Sequence, residues 1–266
     1  MHVQKTAAKT NSKSIAPRLQ AAAVWKWANW LDLVAARKKH IVHINLDETS
    51  VKVYQDGGIG FLTDNARKRK RSAAGLVRNA SRGDIRLNFT FVAVLCDDEE
   101  VQKRLPQFIV LSDTVLSSTL HAELLAALPS NIVLWRCKSS WMNAGLVEQM
   151  LRELGKVKRS LGQEYAFVVH ADAFRAHMTP KVWRTAALHG LLYVLIPSKL
   201  TWVLQVCDTH LFAYLKHKLK EACQRHNVIS AAGKPDLASV VKNLCEVWSG
   251  AVWSRRLGKK HSEILA

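Results

Sequence analysis

Residues 41–47, Ile41-Val42-His43-Ile44-Asn45-Leu46-Asp47, decide how the rest of the chain is read. Side chains on a strand alternate between the faces of a sheet. Val42, Ile44 and Leu46 therefore fall on one face, and His43, Asn45 and Asp47 on the other. The stretch predicts a strand whose polar face ends on a carboxylate. A short β segment from Val51 to Tyr54 is expected next, then a turn at Gly57-Gly58-Ile59-Gly60. No convincing helix follows those glycines, which argues against a nucleotide-binding loop.

Working outward, Leu87–Cys96, Gln107–Leu111, Ile132–Arg136 and Tyr165–His170 read as further strands. Leu191–Ile196 is wholly apolar, as expected of a strand inside a parallel sheet. A helix from Asn143 to about Ser160 would bury Leu146, Met150, Leu151 and Leu154. Thr179-Pro180 supplies a cap and a first-turn proline for another helix, which Gly190 closes. One helix is expected through Arg225 and a last one from Pro235 to Trp253. Near the start, Ala21, Trp25, Ala28 and Leu31 could share a helical face between Pro17 and Lys39, and Trp25, Trp27 and Trp30 suit packing. Strands first, then strands alternating with helices, imply an α/β (α+β) mixed sheet of about five strands with helices on its faces. The expected divisions are a basic lead-in and helix at 1–40, the main domain at 41–225, and a C-terminal helical extension at 226–266.

The charge balance narrows the partner. Lys and Arg number 39 against 21 Asp and Glu, a formal net charge of +18. A surplus of that size makes a long-range positive field suited to nucleic acid. No strongly basic amphipathic helix points to a membrane surface instead. The five cysteines are scattered without a CxxC pair, which fits a reducing compartment better than a disulfide framework. No run reaches the roughly 18 to 20 apolar residues of a membrane span, and the first residues carry no secretory h-region. A soluble, intracellular protein is expected. Residues 64–83 form a basic stretch with no acid between Asp64 and Asp84. Its pentamer Arg67-Lys68-Arg69-Lys70-Arg71 reads as a nuclear localisation signal, a phosphate-contacting loop or a solvated charged loop.

Three acids occupy related places in this plan. Asp47 would end the first strand, Asp172 lie just past the strand at 165–170, and Asp208 stand at the N-cap of the helix through Arg225. Carboxyl ends of neighbouring strands converge, and three converging carboxylates need a cation. Oxygen ligands of this hardness suit Mg²⁺ or Mn²⁺. Glu48 would point to the opposite face from Asp47 if the strand continued. His170, Asp172 and His177 form an H-x-D-x₄-H cluster that could instead serve a transition-metal hydrolase. Trp202 could stack on a splayed base, although packing is the simpler role.

These residues carry a resemblance. Asn45-Leu46-Asp47-Glu48-Thr49 resembles the N-x-D-E-T that opens the DDE/DDD endonuclease domain of pogo and mariner class transposases. Residues 195–208, LIPSKLTWVLQVCD, are similar to that family's L-P-x-x-T-x-x-L-Q-P-L-D, and Phe212-x-x-Leu215-Lys216 to its F-x-x-L-K. Asp172 followed by His177 resembles the second acid and its nearby histidine, and Trp141-Met142-Asn143 also matches a family pattern. The 35 residues 173–207 between the second and third acids match the family spacing. Val206-Cys207 stands where the family has Pro-Leu, and Thr209 and His210 where smaller or apolar residues are commoner.

The resemblance covers roughly residues 41–220. It implies a ribonuclease-H-like fold, with Asp47, Asp172 and Asp208 as catalytic metal ligands for two Mg²⁺ or Mn²⁺ ions. It also implies a DNA transposase activity of cleavage and strand transfer, a nuclear location, and a homodimer on DNA. Arg67–Arg71, His177 and Lys199 are the expected DNA contacts. The family's N-terminal helix-turn-helix domains would not fit in 40 residues. The alternative is a domesticated, catalytically inactive DNA-binding protein derived from a transposase.

Overall fold

The first strand, β1, spans His40–Tyr54, much further than its first seven residues suggested. It neither ends at Asp47 nor gives way to a separate segment at Val51. Its outer half stays paired because β3 (Ile85–Cys96) runs antiparallel beside it from Ile44↔Cys96 to Tyr54↔Ile85. What stops near Asp47 is the parallel pairing on the other side. There β6 (Tyr165–Asp172) matches β1 from His40↔Tyr165 only as far as Leu46↔Ala171. The computed structural model describes residues 20–22, 24–25, 29, 39–54, 59–60, 85–226, 228 and 235–249.

Four more strands complete the sheet: β2 (Ile59–Gly60), β4 (Gln107–Ser112), β5 (Ile132–Cys137) and β7 (Leu192–Ile196). The order is β5-β4-β3-β1-β6-β7, with β2 pairing antiparallel to β1. Antiparallel β1, β3 and β4, with parallel β6 and β7 added on the far side of β1, is the arrangement expected of a ribonuclease-H-like domain. β5 extends the sheet by a parallel pairing with β4. The sheet has seven strands against the expected five or so; the one not anticipated is β2, two residues long, at Ile59-Gly60 where a turn was expected. β7 is an edge strand rather than an internal one. Its free edge meets the N-terminal segment, where Trp25 Nε1 donates to the Leu195 carbonyl at 3.0 Å. Ala22 and Trp25 also pack with Ile196, so part of this apolar edge strand is covered.

Helices lie on both faces: α1 (Glu99–Gln102), α2 (Ser118–Ala127), α3 (Ala144–Leu161), α4 (Pro180–Leu188), α5 (Thr201–Leu204), α6 (Phe212–Arg225) and α7 (Leu237–Ser249). The cap expected at Thr179 forms, and Asn143, read only as the start of its helix, is a cap as well. Asn143 Oδ1 accepts from the Leu146 amide at 3.1 Å, and Thr179 Oγ1 from that of Val182 at 3.4 Å. Gly190, just past α4, takes φ +63, a conformation that favours glycine. α2 was not anticipated; it buries only Leu124, so its sequence carries little periodic signal.

Strand alternation divides the interior in two. Val51 and Val53 of β1 join Phe89, Phe91, Ala93 and Leu95 beneath α6 and α7. Val42, Ile44 and Leu46 join Val92, Val94 and the buried faces of α3 and α4. At Gly155 the helices α3 and α4 approach so closely that a Cβ would lie 2.6 Å from that of His189. Among the described residues no helix is long and apolar enough to cross a membrane.

Candidate active site

Asp47 and Asp172 are brought together by strand register. Each lies one residue beyond the last β1–β6 pair, Leu46↔Ala171, on strands roughly 4.8 Å apart. Asp172 is the final residue of β6 rather than a residue just past it. Asp47 shares the strand face of Asn45 and Val51, and is only 6 % exposed. Both acids thus sit where β1 and β6 part, a natural place for a site.

Asp208 arrives differently from the expected N-cap. It lies inside a π-helical turn, Cys207–Leu211, closed by the Phe212 amide donating to the Cys207 carbonyl five residues back. The N-cap place belongs to Val206, which makes no side-chain cap bond. Single π-helical turns within helices recur at functional sites. Val206 adopts φ −63, the angle a proline ring would impose, so the family's Pro-Leu and this chain's Val-Cys suit the same approach.

A buried amide network holds this turn against β1. Asn45 Oδ1 accepts from the Cys207 amide at 3.2 Å, and Asn45 Nδ2 donates to Gln205 Oε1 at 3.3 Å. Gln205 Nε2 in turn donates to the Leu46 carbonyl at 3.0 Å. Asn45, Gln205 and Cys207 have no exposed surface. Asn45 therefore caps, from across the molecule, a helical N–H that its own chain leaves unpaired. The asparagine two residues before the first acid and the glutamine three before the last are the two halves of one clamp.

The electrostatics of the acids are unfavourable as they stand. The Asp47 carboxyl is pushed well above the usual range, first by burial and then by Asp208, Glu48 and Asp172. Asp208, though exposed, is also raised, by local desolvation and by Asp172. Asp47 Oδ1 accepts from the Glu48 amide at 2.9 Å. Its other oxygen is buried and meets no donor, unless a proton is shared with the Asp208 carboxyl beside it. Lys216 of α6 offsets part of this charge from within reach of Asp208 and Asp47, and burial lowers its own pKa.

An all-carboxylate donor set with an orphaned buried oxygen on Asp47 fits a hard divalent cation in its chemistry. As placed, no group of three or more His, Cys, Asp or Glu side chains among the described residues closes around one point. Asp172 Oδ1 is instead engaged by His177 Nδ1 at 2.7 Å.

His177 has no exposed surface, and its ring faces carboxylates of the protein. Its second nitrogen faces Glu48 Oε2 at 3.6 Å. Glu48 shares the strand face of Leu46, opposite Asp47 as parity requires, yet its carboxyl feels Asp172 and Asp208 as well as His177. Sequence reading set Glu48 aside on parity alone; the signal it missed was a histidine after the second acid, placed to meet that opposite face.

The H-x-D-x₄-H cluster is not assembled as a metal site. His170 stacks on His43, with Nε2 3.2 Å from His43 Nδ1, and lies beside Trp25. Lys199 is exposed on the link between β7 and α5. Arg67, Lys68, Arg69, Lys70 and Arg71 lie outside the described residues, as do Gly57, Gly58, Trp27, Trp30 and the side chain of Trp202.

Fold and site together define a mixed-sheet α/β domain that gathers three aspartates where two parallel central strands separate. The chain matches no protein-family profile and no curated protein. Among solved structures it is similar to the Mos1 transposase paired-end complex with left transposon end, at 14 % identity and TM-score 0.43, covering 95 % of this chain and 62 % of that one. It is likewise similar to the Mos1 mariner paired end complex with Mn, at 13 % identity and TM-score 0.43, covering 96 % and 64 %. The chain thus spans less than two thirds of the length of these transposases. The strand order itself defines the fold.

Proposed function

We propose that this chain is the catalytic domain of a DNA transposase-type endonuclease, with Asp47, Asp172 and Asp208 as its divalent-metal ligands. The observation that supports the reading is that Asp47 and Asp172 stand side by side where the β1–β6 pairing ends, while Asp208, on the turn bonded to β1, is near enough for the acids to disfavour one another's charge. Residues 41–225 form the catalytic domain in this reading, with 1–40 and 226–266 as extensions.

The three carboxylates hold Mg²⁺ or Mn²⁺, which when bound would activate the attacking water and stabilise the departing 3′ oxygen. The Asn45–Gln205 clamp keeps the first and third acids at a set separation. Lys216 tempers the negative charge that the DNA phosphate meets on approach. The excess of +18 holds the DNA backbone through phosphate contacts, with Arg67–Arg71 and Lys199 as contributors. Cleavage exposes a 3′ hydroxyl that attacks a second phosphodiester during strand transfer. A nuclear location and a homodimer on DNA complete the proposal.

The test is incubation with labelled duplex and single-stranded DNA in Mg²⁺ or Mn²⁺, beside Asp172→Asn, which keeps the shape and removes the charge. Metal-dependent nicking by the wild type alone is expected. Binding without cleavage by either protein would replace this reading with that of an inactive DNA-binding relative.

A further inference from the structure

Asp172 is held from behind. His177 Nδ1 lies 2.7 Å from Asp172 Oδ1 and 3.1 Å from the Asp172 carbonyl, so its N–H bridges side chain and backbone of the same residue. The ring has little freedom: it has no exposed surface, and Phe174 meets it edge-on at 5.8 Å between centroids. A tight turn, with the His177 amide bonded to the Phe174 carbonyl at 2.9 Å, sets where the ring begins.

The far side of that ring is unfinished. His177 Nε2, Glu48 Oε2 and the Tyr193 hydroxyl are all buried and lack a hydrogen-bond partner among the described residues. Nε2 and Oε2 stand 3.6 Å apart, beyond hydrogen-bond length but within closing distance. Tyr193 is fixed by an edge-on contact with Trp183, and its hydroxyl lies within the fields of Asp172 and Glu48. Buried polar atoms are seldom left alone, and three together mark a set that a small shift or one bridging water completes.

We propose that Glu48 and His177 are a positioning pair for Asp172. Glu48 orients the imidazole from the opposite face of the sheet, and the imidazole commits Asp172 Oδ1, turning Oδ2 toward Asp47 and Asp208. Outer groups that orient a ligand in this way alter metal affinity by roughly 10- to 100-fold. This inference rests on the proposed metal site, but it assigns Glu48 a role that neither strand parity nor ligand type would give it.

Mn²⁺ binding by electron paramagnetic resonance, on the full chain, tests it. His177→Ala should weaken binding about tenfold or more. His177→Asn, whose amide N–H can replace Nδ1–H, should recover to within about threefold. Glu48→Ala should weaken binding several-fold and Glu48→Gln much less, since the amide still accepts from Nε2–H. A purely structural role would not be rescued by asparagine. If His177→Ala does not fold, the other three variants carry the test.

The ¹⁵N–¹H spectrum of histidine-labelled protein, in chelator, reads the pair without metal. One Nδ1–H should be protected from exchange, and Glu48→Ala should move the Nε2 resonance of the same ring. Wild-type affinity in folded His177→Ala or Glu48→Ala overturns the proposal, as does failure of His177→Asn to recover. If the wild type binds no Mn²⁺, the metal reading falls by itself. The imidazole spectrum then decides the pair: a freely exchanging Nδ1–H, or an unmoved Nε2, overturns it.

Discussion

Asn45→Ala tests the clamp that brings the third acid to the first. The substitution removes an acceptor from the Cys207 amide and a donor from Gln205 Oε1, at positions with no access to solvent. Each buried group left unpaired costs about 1–3 kcal/mol, and the Cys207 amide and Gln205 Oε1 both lose a partner, so about 2–6 kcal/mol is expected in total. For a chain of this size that is a fall in Tm of roughly 4–24 °C, measured by thermal unfolding. The loss should be cooperative with Gln205→Ala. In a double-mutant cycle the pair should deviate from additivity by about 0.5–3 kcal/mol. Amide exchange at Cys207 should accelerate in Asn45→Ala while that at Val92, in the β3 core, moves only with global stability. Destabilisation under about 0.5 kcal/mol, or strict additivity with Gln205→Ala, would refute the clamp.

Removing one charge from the acid cluster should stabilise the metal-free chain. Asp47→Asn is expected to raise its Tm, by about 0.5–2 kcal/mol of stability, and to abolish any further rise on adding Mn²⁺; a lowered Tm in chelator would contradict the repulsion argument. Stability of the metal-free chain should fall as pH rises from about 4 through 7. Asp47 and Asp208 are raised by burial and neighbouring acids, and Asp97 is raised by burial to about 6, so their cost is absent below the unfolded carboxylate pKa and complete above the folded one. His177 acts in the same direction: burial opposes its charge, but Asp172 and Glu48 outweigh that, and its contribution is lost as pH climbs through the raised value. Asp98, held low by the Val101 amide and His40 despite some desolvation, opposes this weakly; urea titrations at pH 5 and pH 8 that show greater stability at pH 8 would overturn the account. Gly155→Ala should destabilise by about 1–3 kcal/mol despite alanine's better helix propensity, because the new methyl meets the His189 ring base; an unchanged or raised Tm would show that α4 yields freely.

The alternation of residues 41–47 was enough to assign the faces of β1, since a period of two admits no other division. The cap at Thr179 was legible because it acts within three residues of itself, whereas the one expected at Asp208 gave way to a π-helical turn that Asn45 holds from a distant strand. Lengths were not. β1 runs past Asp47 because β3 continues to pair with it, and no residue between Glu48 and Tyr54 announces that partner. The edge position of β7 was hidden for the same reason, since apolarity records burial and does not say whether a strand or Trp25 provides it.

The candidate site divides along the same line. The residue types were present in sequence: three aspartates, an asparagine before the first, a glutamine before the third, and a histidine after the second. Local rules suffice for such features because propensity, alternation and capping act over a few residues. Which oxygen meets which nitrogen depended on register between β1 and β6, on a π-helical turn at 207–211, and on a ring beyond the end of β6 that faces both Asp172 and Glu48. Except for Asp172 with His177, those contacts join residues more than a hundred positions apart. Only the packed fold could decide them, because the free energy that selects them is shared across both cores rather than written at any one position.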